Sequence, residues 1–436
     1  EMISMDAMKS DRWRDLRRLT ERPSKFGSPF FEPGPNNLEC VRDCLVLVVG
    51  AGGLGCEMLK DLALSGFQQI HVIDMDTIDL TNLNRQFLFR ESDIGKSKAE
   101  VAAKFIVNRV KGCSVTPHFK RIQDMPISFY SQFHIVMCGL DSIDARRWLN
   151  DTYCNLVEFD DDGNPAAGVV PLIDGGTEGF KGNARVIYPR MSACIECTLS
   201  LYPPQVNFPL CTIAHTPRLP EHCVEYIKVI EWDKLKPFHG VALDADNPEH
   251  VEWVLARALN RAQEYGIRGV DLRLTQGVLK RIIPAVASTN AVIAGVCTVE
   301  AIKCASNISN PIKNYLVFTD VEGAYMNVME IERNPECIAC SGKKVVLSMK
   351  PTSLFSFLFD LLVMKYHLKN PTIRTPAECL YMISELMPEM KEKSESNLDR
   401  RLEDVLSDGD ELLIVDSALT RPLSLVIRLN EQEAAA

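Results

Sequence analysis

From Cys44 onward, short apolar runs alternate with amphipathic stretches. Leu45–Val49 and Ile70–Ile73 read as buried strands, and between them Met58, Leu59, Leu62 and Ala63 fall at helical spacing. A helix over Ser97–Val110 and a strand over Phe133–Cys138 continue the alternation, with a helical segment from Ser142 to Leu149 behind them. This order predicts an α/β unit on a largely parallel sheet. Val169–Ile173 and Ala184–Tyr188 return to strand. The texture changes near Tyr202, where prolines cluster at positions 203, 204, 209, 217 and 220. A helix over Pro248–Tyr265 follows, with Val251, Val254, Leu255, Ala258 and Leu259 on one face, so this section reads as an inserted helical subdomain. The sheet pattern resumes after an apolar helix, Ile282–Ile302, with strands Tyr315–Thr319 and Tyr325–Ile331.

Beyond Lys343 the pattern is strand (Lys344–Met349), helix (Ser353–Met364), strand (Cys379–Ile383), acidic turn (Ser407–Glu411) and strands Leu412–Val415 and Leu423–Leu429. So short a mixed unit resembles a β-grasp, ubiquitin-like fold, and docking a partner is its expected task. The segment before Cys44 is a polar, helical lead ending in a Pro/Gly-rich linker.

Composition narrows the classes. A net charge of −10 over 436 residues argues against a nucleic-acid-binding face. The cations from Lys9 to Arg22 are interleaved with acids, as on a solvated helix. Ile282–Ile302 is long enough to span a bilayer, but its Ser, Thr, Asn and Gly content and Glu300 favour a buried helix, so no membrane partner is expected. No secretory signal is visible, and fifteen cysteines then read as reduced thiols, metal ligands or catalytic groups rather than disulfides, in a protein of the cytoplasm or nucleus.

The chemistry concentrates between residues 44 and 98. The first strand runs into Gly50-Ala51-Gly52-Gly53-Leu54-Gly55, and the second ends in Asp74. This is a dinucleotide-type βαβ unit, with glycines for close phosphate approach, a helix N-terminus facing the phosphates and an acid for a ribose hydroxyl. Asp76, Asn82, Asn84, Arg85, Gln86 and Lys98 then crowd the next stretch, which suits a nucleotide with an attackable triphosphate better than hydride transfer. Asp141, after the Phe133–Cys138 strand, is placed to hold Mg²⁺ beside phosphates or to cap the next helix. Cys194-Ile195-Glu196-Cys197 and Cys337-Ile338-Ala339-Cys340 are two C-x-x-C knuckles, together a closed four-thiolate site for structural Zn²⁺.

These residues, with Asp74-Met75-Asp76, Asn82 to Phe87, Pro209-Leu210-Cys211-Thr212-Ile213 and Pro217 to Cys223, resemble the catalytic subunits of heterodimeric ubiquitin-like-modifier activating enzymes, most closely the neddylation branch. The likeness covers nearly the whole chain. It implies a Rossmann-like adenylation domain in two parts (residues 44–204 and 287–343), behind an N-terminal lead and linker (1–43). A helical catalytic-cysteine domain (205–286) is inserted, and a ubiquitin-fold domain (347–431) closes the described order. It further implies that ATP and Mg²⁺ adenylate a modifier's C-terminal carboxylate, that Cys211 takes the acyl group as a thioester, and that a conjugating enzyme receives it. In that scheme Gly50, Gly52, Gly53, Gly55, Asp74, Asp76, Asn82, Arg85, Gln86 and Lys98 bind ATP and Asp141 the magnesium. Arg185 stands near the modifier's tail, where a cation would disfavour a tail carrying Arg. The family also implies an obligate partner subunit. Competing readings are an adenylyltransferase for sulfur-carrier proteins, a non-catalytic scaffold subunit and a nicotinamide-dependent oxidoreductase. The sequence alone does not choose Cys211 over Cys223 as nucleophile, nor His215 or His222 as its base.

Overall fold

The computed structural model describes residues 12–25, 27–202, 217–241, 243–245, 247–280, 285–342, 345–376, 378–382, 394, 396–416, 418–419 and 421–430. They divide into two units, one formed by residues up to Tyr202 together with those from Ala285 onward, the other spanning Pro203–Pro284.

In the first unit, strand β1 (Leu45–Val49) is apolar throughout because it lies between two parallel neighbours, β2 (Gln69–Ile73) and β4 (Ile135–Cys138). Strand β3 (Ser114–His118) pairs parallel with β2 and closes that edge, and its Pro117 suits an edge position. After a small exposed hairpin, β5 (Glu158–Phe159) with β6 (Pro165–Ala167), come β7 (Leu172–Glu178), β8 (Lys181–Ile187), β9 (Tyr315–Thr319) and β10 (Tyr325–Met329). The eight-stranded order is β10-β9-β8-β7-β4-β1-β2-β3. The sheet is therefore parallel only from β3 to β7. Strands β7 to β10 pair antiparallel, a departure from the largely parallel expectation. The reason is local: only the two residues Gly179-Phe180 join β7 to β8, and so short a link forces a hairpin.

Strand β7 also starts later than expected, at Leu172, and runs on through Gly175-Gly176. Those glycines let a helix sit close: a Cβ at Gly175 would stand 3.2 Å from Cys297 Sγ. That helix, Ala287–Ser306, begins five residues later than its apolar pattern suggested and packs on β7, β8 and the Gly53–Leu64 helix. No helix among the described residues is long and apolar enough to cross a membrane.

The same unit carries a five-stranded sheet, β11 (Val345–Met349), β12 (Thr372–Arg374), β13 (Cys379–Tyr381), β14 (Glu411–Val415) and β15 (Leu423–Leu429), in the order β11-β15-β14-β12-β13. Its first and last strands pair in parallel, and the Phe355–Tyr366 helix supplies Phe355, Leu358 and Leu362 to one core, as a β-grasp requires.

The second unit is helical. Pro220–Tyr226, Pro248–Glu264 and Leu272–Lys280 pack around Cys223, Val224, Val251, Val254 and Ala258. Asn247 caps the long helix by accepting from the Glu249 N–H at 2.9 Å, with Pro248 at its first position.

Candidate functional site

The site begins where β1, β2 and β4 end together. Gly50 N–H donates to Ile73 O and Gly139 N–H to Val49 O, both at 2.9 Å. Gly50 sits at φ 94°, and at Gly55 a Cβ would lie 1.9 Å from Gly50 O, so no other residue fits there without moving backbone. The Gly53–Leu64 helix starts inside this loop and points its first amides outward from it. Asp74 is locked against the loop: Oδ2 accepts from Ala51 N–H at 2.6 Å and Oδ1 from Asp76 N–H at 2.7 Å. Burial pushes the Asp74 carboxyl above its ordinary value, and the two backbone amides pull it back. Each oxygen keeps a lone pair for a further donor such as a hydroxyl.

Lys98 and Asp76 are not separate surface charges. Lys98 is 8% exposed and its Nζ lies 2.8 Å from Asp76 Oδ2. Lys98 opens the Lys98–Arg109 helix, capped by Ser97 accepting from Glu100 N–H at 3.3 Å. A cation in a first turn opposes the helix dipole, a local conflict typical of a working site. Arg85 Nη1 donates to Thr81 O and Asn84 Oδ1, each at 3.0 Å. Gln86 is buried, and its Oε1 has no hydrogen-bond partner among the described residues. Its Nε2 stands 4.0 Å from where a Cβ of Gly52 would be. Asn82 serves the turn itself, its Oδ1 accepting from Asp79 N–H at 3.0 Å. Sequence reasoning missed Asn290. It is 3% exposed, accepts from Thr177 Oγ1 at 2.6 Å, and its Nδ2 would lie 2.4 Å from a Cβ at Gly53. Its one signal is the polar Ser288-Thr289-Asn290 opening an apolar helix.

Asp141 is exposed, two residues beyond Gly139, and makes no hydrogen bond or ion pair among the described residues. It is not the helix cap. Ser142 does that, its Oγ accepting from Ala145 N–H at 3.1 Å, and the helix runs to Leu156. A free carboxylate at this end of the sheet fits a hard divalent cation. Arg185 presents no free cation: it is 3% exposed, with Nε 3.0 Å from Asp174 Oδ2, Nη1 donating to Thr198 Oγ1 at 2.6 Å and Nη2 to Tyr202 Oη.

The two knuckles converge although 143 residues separate them. Cys194–Cys197 sulfurs lie 3.7 Å apart, Cys194–Cys337 and Cys197–Cys340 3.5 Å, and all four ligand atoms fall within 4.8 Å. A tetrahedron with Zn–S near 2.3 Å has edges of about 3.8 Å, so the donor set fits zinc and leaves no open position. The Ile143–Leu156 helix supports the first knuckle. Asn150 Oδ1 accepts from Ile195 N–H at 3.2 Å, and Arg147 pairs with Glu196 at 2.5 Å.

Cys211 and His215 lie outside the described residues. Cys223 is a core thiol: it is fully buried, and burial pushes its pKa up. His222 is 5% exposed, its Nδ1 accepts from Arg218 N–H at 3.2 Å, and burial holds its pKa down.

Two family models match the chain: the ThiF family over residues 28–339 and the E2 binding domain over residues 348–429. The chain is 59% identical over 429 residues to the NEDD8-activating enzyme E1 catalytic subunit of Caenorhabditis elegans, covering 98% of this chain and 100% of that protein. Identity to the protein of that name in Drosophila melanogaster is 50% over 437 residues, covering 98% and 96%. For Dictyostelium discoideum it is 46% over 430 residues, covering 96% of each.

Proposed function

The chain belongs to the ThiF family and, with its E2 binding domain, to the NEDD8-activating enzyme E1 catalytic subunits, and on that premise we propose how its residues divide the reaction. The activity is ATP-dependent activation of a neddylation-type modifier and its transfer to a conjugating enzyme, performed as one subunit of a heterodimer.

Asp74 accepts a ribose hydroxyl, and the amides of the Gly50–Gly55 loop face the phosphates. Arg85, Gln86 and Lys98 stabilise charge developing on them, with Lys98 exchanging Asp76 for phosphate. Asp141 holds Mg²⁺, which when bound neutralises phosphate charge. Asn82 keeps the Asp79–Arg85 turn in register. The modifier's carboxylate displaces pyrophosphate and becomes an acyl-adenylate. Cys211 Sγ attacks its carbonyl carbon, the C–O bond to AMP breaks, and a thioester remains for the conjugating enzyme. The 205–286 segment is the cysteine domain, within an adenylation domain of residues 44–204 and 287–343 preceded by a lead of 1–43. The 347–431 domain docks the conjugating enzyme. Arg185 is committed to Asp174, Thr198 and Tyr202, so it acts on the modifier's tail through the β8 segment it fixes and not as a free cation. Cys194, Cys197, Cys337 and Cys340 hold a structural Zn²⁺, and the reduced thiols suit the cytoplasm or nucleus.

The observation that carries this reading is the Asp74 carboxylate fixed by Ala51 N–H at the glycine loop, with the buried Lys98 alongside. The test is a thioester assay with the partner subunit, modifier and Mg-ATP on a non-reducing gel. A thiol-sensitive adduct that disappears in Cys211→Ala supports both the activity and the nucleophile. Survival of the adduct assigns another thiol. Absence of both adduct and ATP–pyrophosphate exchange returns the chain to a scaffold role.

A further inference from the structure

Arg146 is 8% exposed, and its guanidinium makes three bonds: Nε to Asp174 Oδ1 at 2.8 Å, and Nη2 to Leu140 O at 2.6 Å and Gly175 O at 2.9 Å. Leu140 immediately precedes Asp141, so this buried fork pins the loop between β4 and the next helix from the inside. The acceptor Asp174 is 1% exposed and divided: Oδ1 serves Arg146 while Oδ2 serves Arg185 at 3.0 Å. Register makes this division rigid. Asp174 pairs with Cys138 across β4 and with Arg185 across β8, so one carboxylate lies beside the start of the Asp141 loop and opposite Arg185.

We propose that Arg146 is a positioning residue for Asp141, and that Asp174, shared by Arg146 and Arg185, holds the Asp141 loop and the buried Arg185 on β8 in one register. This rests on reading Asp141 as the magnesium carboxylate. Lysine does not replace Arg146, because a point charge on a flexible stem cannot reach Leu140 O, Gly175 O and Asp174 together. Removing the Asp174 charge leaves two guanidinium groups side by side without their common anion, which loosens both.

The experiment uses the heterodimer and two readouts. One is the Mg²⁺ concentration that half-saturates binding of a non-hydrolysable ATP analogue. The other is the ratio of adenylation rates for a modifier tail with and without an Arg. Arg146→Lys raises the Mg²⁺ requirement about tenfold or more, as loss of an outer-shell support does, and leaves the tail ratio unchanged. Asp174→Asn raises the Mg²⁺ requirement and also lowers the tail ratio's discrimination. A wild-type Mg²⁺ requirement in Arg146→Lys, beside a raised one in Asp141→Asn, overturns the proposal. So does an equal shift of both readouts in Arg146→Lys, which marks a general structural effect. If Arg146→Lys does not fold, Asp174→Asn decides, and a normal Mg²⁺ requirement there overturns the proposal. An unchanged requirement in Asp141→Asn removes the magnesium reading itself, and the proposal with it.

Discussion

At the glycine loop, backbone carries the geometry: Gly50, Gly55 and the amides of Ala51 and Asp76 set Asp74 in place, all within one βαβ turn. At the cysteine cluster, four side chains from two distant segments carry it, and the backbone only aims them. The two regions therefore fail differently. A loop built on close approach fails sterically, when any atom is added. A cluster of four sulfurs is held together by whatever neutralises them, so it fails when one ligand is lost. Tolerance in the first is a matter of ångströms, and in the second a matter of binding free energy.

The largest effect expected is at the cluster. Structural zinc carries roughly 10–16 kcal/mol of apparent binding energy in small peptides, so Cys337→Ser is expected to lose the metal and lower the melting temperature by more than about 10 °C. Metal analysis and calorimetry check this; a variant that melts like the wild type would show that the four sulfurs pack without a metal. The loop comes next. Gly55→Ala drives a Cβ to 1.9 Å from Gly50 O and is expected to cost about 1–3 kcal/mol of stability and to abolish nucleotide binding. Gly52→Ala has room, its Cβ 4.0 Å from Gln86 Nε2, and is expected to keep the melting temperature while weakening nucleotide. Equal stability losses in the two variants would break the contrast between packing and ligand approach.

Much of both regions was legible, and for the same reason: each carries its signal in close spacing. The loop's glycines, Asp74 and the two knuckles are short patterns whose residue types have few other uses. Cys223 was ambiguous because sequence does not reveal burial, and the structure places it in a helical core. Arg146 and Asp174 were not legible. Asp174 lies within Leu172-Ile173-Asp174-Gly175, which reads as an ordinary strand end, and Arg146-Arg147 reads as a solvated helix face. Their meaning comes from a long-range pairing of β4, β7 and β8 that no local pattern announces. The antiparallel half of the sheet was missed although its signal was local, since Gly179-Phe180 is a hairpin link.

The smallest effect separates the two regions by acid. His118 Nε2 and His71 Nδ1 share a hydrogen bond at 3.1 Å on β3 and β2, and His118 O accepts from Asp74 N–H at 3.1 Å, so this pair is hydrogen-bonded to the base of the loop. Burial holds both imidazoles below the ordinary histidine value, with the charge of His118 adding to it at His71 and that of Lys120 at His118. The unfolded chain therefore takes up protons first as pH falls below about 6.5. The stability from the neutral pair is present above that pH and is lost as pH falls toward the depressed folded values. His118→Gln removes one titrating ring but keeps an amide able to donate to His71. It is expected to show a shallower fall of melting temperature between about pH 6.5 and 5 than the wild type. Zinc retention over the same range is expected to match the wild type, because among the described residues neither imidazole bonds to any of the four sulfurs. Superimposable melting curves would mean that the pair contributes nothing to the loop's acid sensitivity. A parallel change in zinc retention would mean that the pair also acts on the cluster, through the core that Phe129 and Phe133 share with Cys194 and Cys337.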